Sequence, residues 1–276
     1  MYLAFAGFAL FLLLGRRGKY AAVAGWAFLV TGFLTGIPEY LEEENILYPA
    51  LAVLAVPFLA ITARALTRDN RTAFQLSRAA AVAFLIFMPF TLVPFLRDAL
   101  IAAVVGNALW LLNALDHPAG LRTWNIIVTN GYATEIILAC TGITAMAILL
   151  GAAAGSAKIT RKQALLSVLV IVPVIYVLNI LRIVFVSIAW SEQWFAFLPD
   201  PVGTTAFGPG YASFFWAHNV LMEILAVGVL AGLAFALFRI IPGLGDFARD
   251  LVSLYVREAG AFADWLKSAC RPGRTA

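Results

Sequence analysis

Long apolar runs, each bounded by charge, recur along the whole chain at about 2–14, 20–37, 46–66, 74–94, 99–115, 136–154, 164–190 and 216–241. A helix needs roughly 20 such residues to cross a hydrocarbon layer about 30 Å thick, and several of these runs reach that length. They are too long for barrel strands, which take only about 9–11 alternating residues. Composition points the same way: 63% of the 276 residues are hydrophobic and 12% charged, where a soluble domain carries about 45–50% and about 25%. So little charge cannot cover a water-facing surface. That excludes a soluble enzyme, a nucleic-acid-binding module and a disordered scaffold. The expected fold class is all-α, a polytopic helical bundle in the membrane.

Basic residues orient the spans. Lys and Arg mark cytoplasmic loops, and one orientation places all of them inside except Arg97, Arg122 and Arg182. The pI near 9.2 therefore reflects orientation and not a nucleic-acid partner. If the run 99–115 crossed, the basic clusters before and after it could not both lie inside. It is therefore expected to be an interfacial or re-entrant helix on the outer face. The prediction is seven spans, with the N-terminus outside and the C-terminus cytoplasmic. Residues 1–243 form one transmembrane domain in this reading, and 244–276 a cytoplasmic tail. In that tail Leu251, Leu254, Tyr255, Phe262, Trp265 and Leu266 recur at helical spacing among charges, as in an amphipathic helix on the inner leaflet. Arg16, Arg17 and Lys19 follow the first apolar run instead of preceding it, so the start does not read as a cleaved signal peptide.

Two outer segments follow, 95–135 and 191–215. The second has Glu192 and Asp200, no Lys or Arg, and many Gly, Pro and aromatic residues. Two readings stay open: a loop covering a site, or an aromatic belt joining two spans. Two cysteines without a CxxC pair and two histidines are too few for a structural zinc site. No metal or cofactor is expected.

Chemistry in such a chain must come from polar groups inside the spans, where each is costly. Cys140, Arg182 and His218 stand out. Counting along helices from the inner basic markers Lys158, Lys162 and Arg239 places them roughly 27, 30 and 32 Å away, at about 1.5 Å per residue. All three then lie near one plane, the outer edge of the hydrocarbon core. Each also has a plain reading: a buried Cys is usually inert, Arg182 could snorkel to headgroups, and His218 could be interfacial. Against snorkelling, Tyr176, Asn179 and Arg182 form one polar stripe at i, i+3 and i+6. Together the trio suits acyl transfer at a membrane surface. A thiolate is the nucleophile, His takes its proton, and Arg favours the anion and the oxyanion that follows. Asn179, Tyr176 and Asn219 are the candidate substrate-binding residues.

Two other classes compete. A transporter would want ionisable groups near the midplane and often two similar halves; Glu223 is the one carboxylate well inside a span, and no repeat is evident. A membrane assembly protein would need no catalytic cysteine.

The strings ACTGITA at 139–145, NILRIV at 179–184 and AHNVLMEI at 217–224 resemble the signature blocks of the exosortase/archaeosortase family. The resemblance covers about 130–245. It implies a multi-span cysteine transpeptidase or protease that recognises a tripartite C-terminal signal on secreted surface proteins. That signal combines a short motif such as Pro-Gly-Phe, a transmembrane helix and a basic tail. The enzyme removes the tail, and in archaeal substrates a membrane lipid accepts the new C-terminus. On the family pattern Cys140 is the nucleophile and Arg182 an essential basic residue. The third basic position is His in some members and Arg in others, and His218 occupies it here. The implied location is the cell membrane, with the active site on the extracytoplasmic face.

Overall fold

A computed structural model describes residues 1–42, 47–156, 159–199 and 210–269. The chain is built of helices: α1 (Tyr2–Leu14), α2 (Lys19–Thr35), α3 (Ile37–Glu42), α4 (Leu47–Thr67), α5 (Arg71–Leu92) and α6 (Pro94–Ala114). Three short strands follow, β1 (Ala119–Thr123), β2 (Ile126–Thr129) and β3 (Tyr132–Glu135). After them come α7 (Ile143–Gly155), α8 (Arg161–Ser191), α9 (Tyr211–Ile240) and α10 (Pro242–Ala269). The all-α polytopic class holds, with the small sheet as an addition that the hydropathy pattern did not give.

Among the described residues five helices are long and apolar enough to cross a membrane: Pro49–Thr67, Arg71–Leu92, Pro94–Ala114, Arg161–Ser191 and Tyr211–Ile240. The expected count of seven is not reached on length. The run 2–14 yields 13 helical residues, 20–37 yields 17, and 136–154 yields 13. The run at 99–115, expected to be interfacial or re-entrant, is among these five helices. It lies in an unbroken 21-residue helix and is not interrupted as a re-entrant segment would be. Local chemistry sets its start. Val93, restricted by the proline after it, is extended at φ −110° and ψ 101° and ends α5; Pro94 then opens α6 at its first position.

The chain divides into two compact units. The first comprises Met1–Leu85, Gly151–Arg161 and Ile241–Ala276. Its core gathers Phe8, Phe11, Trp26, Leu66, Phe74 and Leu254. Gly7 and Gly25 let α1 and α2 approach backbone to backbone. A Cβ on Gly7 would stand 2.7 Å from the Gly25 nitrogen, the close approach that small residues permit between membrane helices. Buried Trp26 donates to Ser77 Oγ at 2.9 Å. The expected amphipathic tail is helical, and its Leu254 is buried while Tyr255 stacks on Phe58.

The second unit comprises Ile86–Leu150 and Lys162–Ile240. Ile101, Val104, Ala108 and Leu112 of α6 and Ile180, Ile183, Val184 and Ile188 of α8 form its core with Ile127 and Ile136. The antiparallel sheet has the order β1-β2-β3. Asn130 and Gly131 turn β2 into β3 with φ 49° and 84°, the left-handed pair that a tight hairpin demands. Asn113 ties the sheet to α6. Its Nδ2 donates to the Ala119 carbonyl and its Oδ1 accepts the Ala119 N–H, both at 3.2 Å.

Candidate active site

Cys140 sits on a single 3₁₀ turn, Leu138–Thr141, immediately before α7. Two neighbours shape that turn. Thr141 is fully buried; its hydroxyl donates to the Leu138 carbonyl at 2.7 Å and accepts the Ile143 N–H at 3.4 Å, closing the start of α7. Gly142 has φ 78°, and a Cβ there would lie 2.9 Å from Ile175 Cγ2 and 3.6 Å from Asn179 Cβ. Only glycine meets both conditions without strain. The Cys-Thr-Gly string is thus a tight connection pressed onto α8. Cys140 is a free, half-buried cysteine that packs against the core of this unit, as Tyr176 also does.

The stripe expected on α8 is present. The Asn179 side-chain amide donates to the Cys140 carbonyl. Tyr176, one turn earlier, accepts a hydrogen bond from Asn107 of α6 at 2.9 Å. Arg182, one turn later, reaches α9: its Nη2 donates to His218 Nε2 at 3.4 Å and to Glu223 Oε1 at 3.3 Å. His218 Nδ1 lies 2.7 Å from Asn219 Oδ1. With Asn219 accepting, His218 carries its proton on Nδ1 and keeps an Nε2 lone pair towards Arg182. Arg182 Nε is buried and has no hydrogen-bond partner among the described residues.

The six sequence-predicted residues therefore fall into two linked groups. Cys140, Asn179 and Tyr176 form one, and Arg182, His218 and Asn219 the other, with successive turns of α8 joining them. Among the described residues the Cys140 thiol makes no hydrogen bond to His218 or Arg182.

The segment 191–215 lies partly outside the described residues, which leave out 200–209. Its described ends are tied down. Phe195 N–H donates to Ser213 Oγ at 3.1 Å, and Trp216 Nε1 donates to the Pro199 carbonyl at 2.8 Å. A run of ring contacts leads from β3 to the imidazole. Tyr132 packs on Trp190, Trp190 on Phe214, and Phe214 stacks flat on His218 at 5.0 Å.

Sequence reasoning missed Glu223 as a partner of Arg182. In a regular α-helix His218 and Glu223 would point about 140° apart. Here Trp216–Leu221 is a π turn, whose wider i→i+5 spacing brings both towards Arg182. No residue pattern announces such a turn. Asn107 as the partner of Tyr176 was equally hidden, being a contact between distant segments.

Comparison with known proteins places the chain among membrane-embedded relatives. The family model described as transmembrane exosortase matches residues 1–216. Archaeosortase A of Natronomonas pharaonis is 33% identical over 261 residues, covering 88% of this chain and 81% of its own length. Archaeosortase A of Haloferax volcanii is 28% identical over 267 residues, covering 87% and 85%. No solved structure matches the chain.

Proposed function

The chain belongs to the transmembrane exosortase family, and on that premise we propose that it is a membrane-embedded cysteine peptidase or transpeptidase. Its substrates in this reading are secreted surface proteins with a C-terminal sorting signal: a short motif of the Pro-Gly-Phe type, a transmembrane helix and a basic tail. It cleaves the signal and promotes attachment of the new C-terminus to a membrane lipid. The site faces the extracytoplasmic side, as the basic loop bias favours.

The observation that carries the proposal is the arrangement on α8. One face holds the Cys140 turn through Asn179 and, one turn on, presents Arg182 to His218 and Glu223. In the proposed reaction substrate binding turns Arg182 from His218 Nε2 to the scissile carbonyl; Nε2 then takes the Cys140 thiol proton, and the thiolate attacks the carbonyl carbon. Arg182, with its buried unpaired Nε, donates to the oxyanion of the tetrahedral intermediate. Collapse breaks the C–N bond, and His218 returns its proton to the leaving amine. The acyl group stays on Cys140 as a thioester until water or a lipid nucleophile displaces it. Asn179 holds the turn and Asn219 holds the imidazole tautomer. Tyr176 and Asn219 contact the substrate in this reading.

The test is mass spectrometry of the C-terminus of a candidate surface protein in cells carrying wild-type or Cys140→Ala enzyme. The reading expects a shortened C-terminus with wild type and an intact signal with the variant. Equal processing in both would refute it.

A further inference from the structure

Outside the candidate active site, the first unit contains a cavity of about 320 Å³, at the lower end of the ~300–1,000 Å³ usual for small-molecule sites. Three arginines line it. Arg71 and Arg78 stand seven residues apart on α5, two turns along one face, with Gln75 between them. Arg16 comes from the 3₁₀ turn Gly15–Gly18 that follows α1. Gly15, at φ 57°, makes that reversal possible and itself borders the cavity. The Arg16 guanidinium lies 5.9 Å from the centre of the Phe74 ring, a contact that holds a cation over an aromatic face.

Most of this charge is uncompensated. Among the described residues none of the three arginines forms an ion pair. Lys19 nearby in sequence is satisfied by Asp69 at 2.9 Å. Asp246 and Asp250 line an adjoining cavity together with Arg71 and Gln75, so Arg71 has carboxylates on one side; Asp246 is itself paired with Arg249 at 3.5 Å. Arg16 and Arg78 line only the first cavity. Three like charges around one hollow repel each other, and a bound anion relieves that repulsion. Guanidinium forks match the tetrahedral oxygens of phosphate better than a single carboxylate would.

The remaining wall is apolar. Phe11 stacks on Phe74 beneath the arginines, and Leu13 and Leu14 just outside are exposed at 84% and 49%. A ligand with a phosphate at one end and hydrocarbon at the other matches such a junction.

We infer that the hollow between Arg16, Arg71 and Arg78 binds a phosphate group, carried by a lipid headgroup whose acyl chains lie along the exposed leucines. The site uses no residue of the candidate active site and does not depend on the proposed reaction.

The test uses the purified full chain in non-ionic detergent, with thermal unfolding read against three additives: dioctanoyl phosphatidylglycerol, inorganic phosphate and dioctanoylglycerol. A ligand that binds only the folded state raises the midpoint in a saturable way. Phosphatidylglycerol is expected to do so, with inorganic phosphate requiring at least tenfold more and dioctanoylglycerol giving no saturable shift. Arg16→Gln and Arg78→Gln should each weaken the apparent affinity roughly fivefold. Arg16→Lys should retain only part of it, because an ammonium lacks the planar fork, and Arg122→Gln, on β1 of the second unit, should leave it unchanged. Saturation by inorganic phosphate at the same concentration as the lipid would keep the phosphate site and assign it a soluble ligand. An equal shift with dioctanoylglycerol, or an affinity untouched by both Gln variants, would overturn the inference.

Discussion

Replacing Gly142 by alanine should damage both stability and activity, by an amount that the local geometry sets. At φ 78° an L-residue carries about 1–2 kcal/mol of backbone strain. The new Cβ would also stand 2.9 Å from Ile175 Cγ2, inside ordinary van der Waals contact, and overpacking of that kind costs about 1–3 kcal/mol. The two together amount to about 2–5 kcal/mol. The chain can relieve them only by moving the turn away from α8, and Cys140 lies two residues back on that turn. A shift of about 1 Å suffices to slow a reaction roughly 10²-fold. The assay compares the thermal midpoint of the purified protein with the fraction of substrate matured at matched enzyme levels. Ile175→Leu on top of Gly142→Ala removes the clashing Cγ2 methyl while conserving the volume of this buried side chain, so the double variant should recover most of the overpacking share and keep the backbone strain. Gly106→Ala serves as control, because nothing beyond its own helix backbone lies within 4 Å of its added Cβ. A Gly142→Ala protein with wild-type midpoint and wild-type maturation would refute the reasoning.

Arg182→Lys should be poorly active, because a point charge cannot reach His218 and Glu223 together and also leave a donor for the substrate; full maturation by this variant would favour a lipid-anchoring role. Glu223→Gln should slow maturation, since it removes the charge that pairs with Arg182 at 3.3 Å inside the span. Glu223→Lys should cost far more by repelling Arg182, and equal rates for the two would remove Glu223 from the site. His218→Gln should slow maturation by about 10²–10⁴-fold and abolish the limb of the pH–rate profile that reports imidazole titration; a profile that keeps that limb would assign the proton to another group.

How much of this was legible depended on whether the signal was local. Membrane class follows from composition and apolar runs, which no packing detail can reverse. Tyr176, Asn179 and Arg182 share a face because of helical periodicity alone, so the stripe could be read from their spacing. Run length proved a weaker guide. The stretch 136–154 gives only a 13-residue helix because Gly142, at positive φ, separates the 3₁₀ turn from α7. The distribution of basic loops set the run 99–115 apart from the spans, and its Asn107 and Asn113 gave no sign of their partners. In the structure they spend their polarity on Tyr176 and on the Ala119 backbone. The hairpin was visible in principle, since Asn130-Gly131 between apolar residues is a strong turn signal, but the surrounding hydropathy drew attention to helices. The partners of Arg182 could not be read at all. They lie 36 and 41 residues away, and a π turn aligns them.

The central claim is that the Cys140 thiol attacks the substrate, and the most direct measurement is to trap the thioester. Membranes containing the enzyme and a candidate surface protein are quenched in acid, digested and mapped by mass spectrometry. The account predicts a hydroxylamine-labile adduct joining the retained part of the substrate to Cys140, with none on Cys270. Cys140→Ala should show neither adduct nor shortened product, while still accumulating in the membrane. Shortened product formed at the wild-type rate by Cys140→Ala would contradict the account.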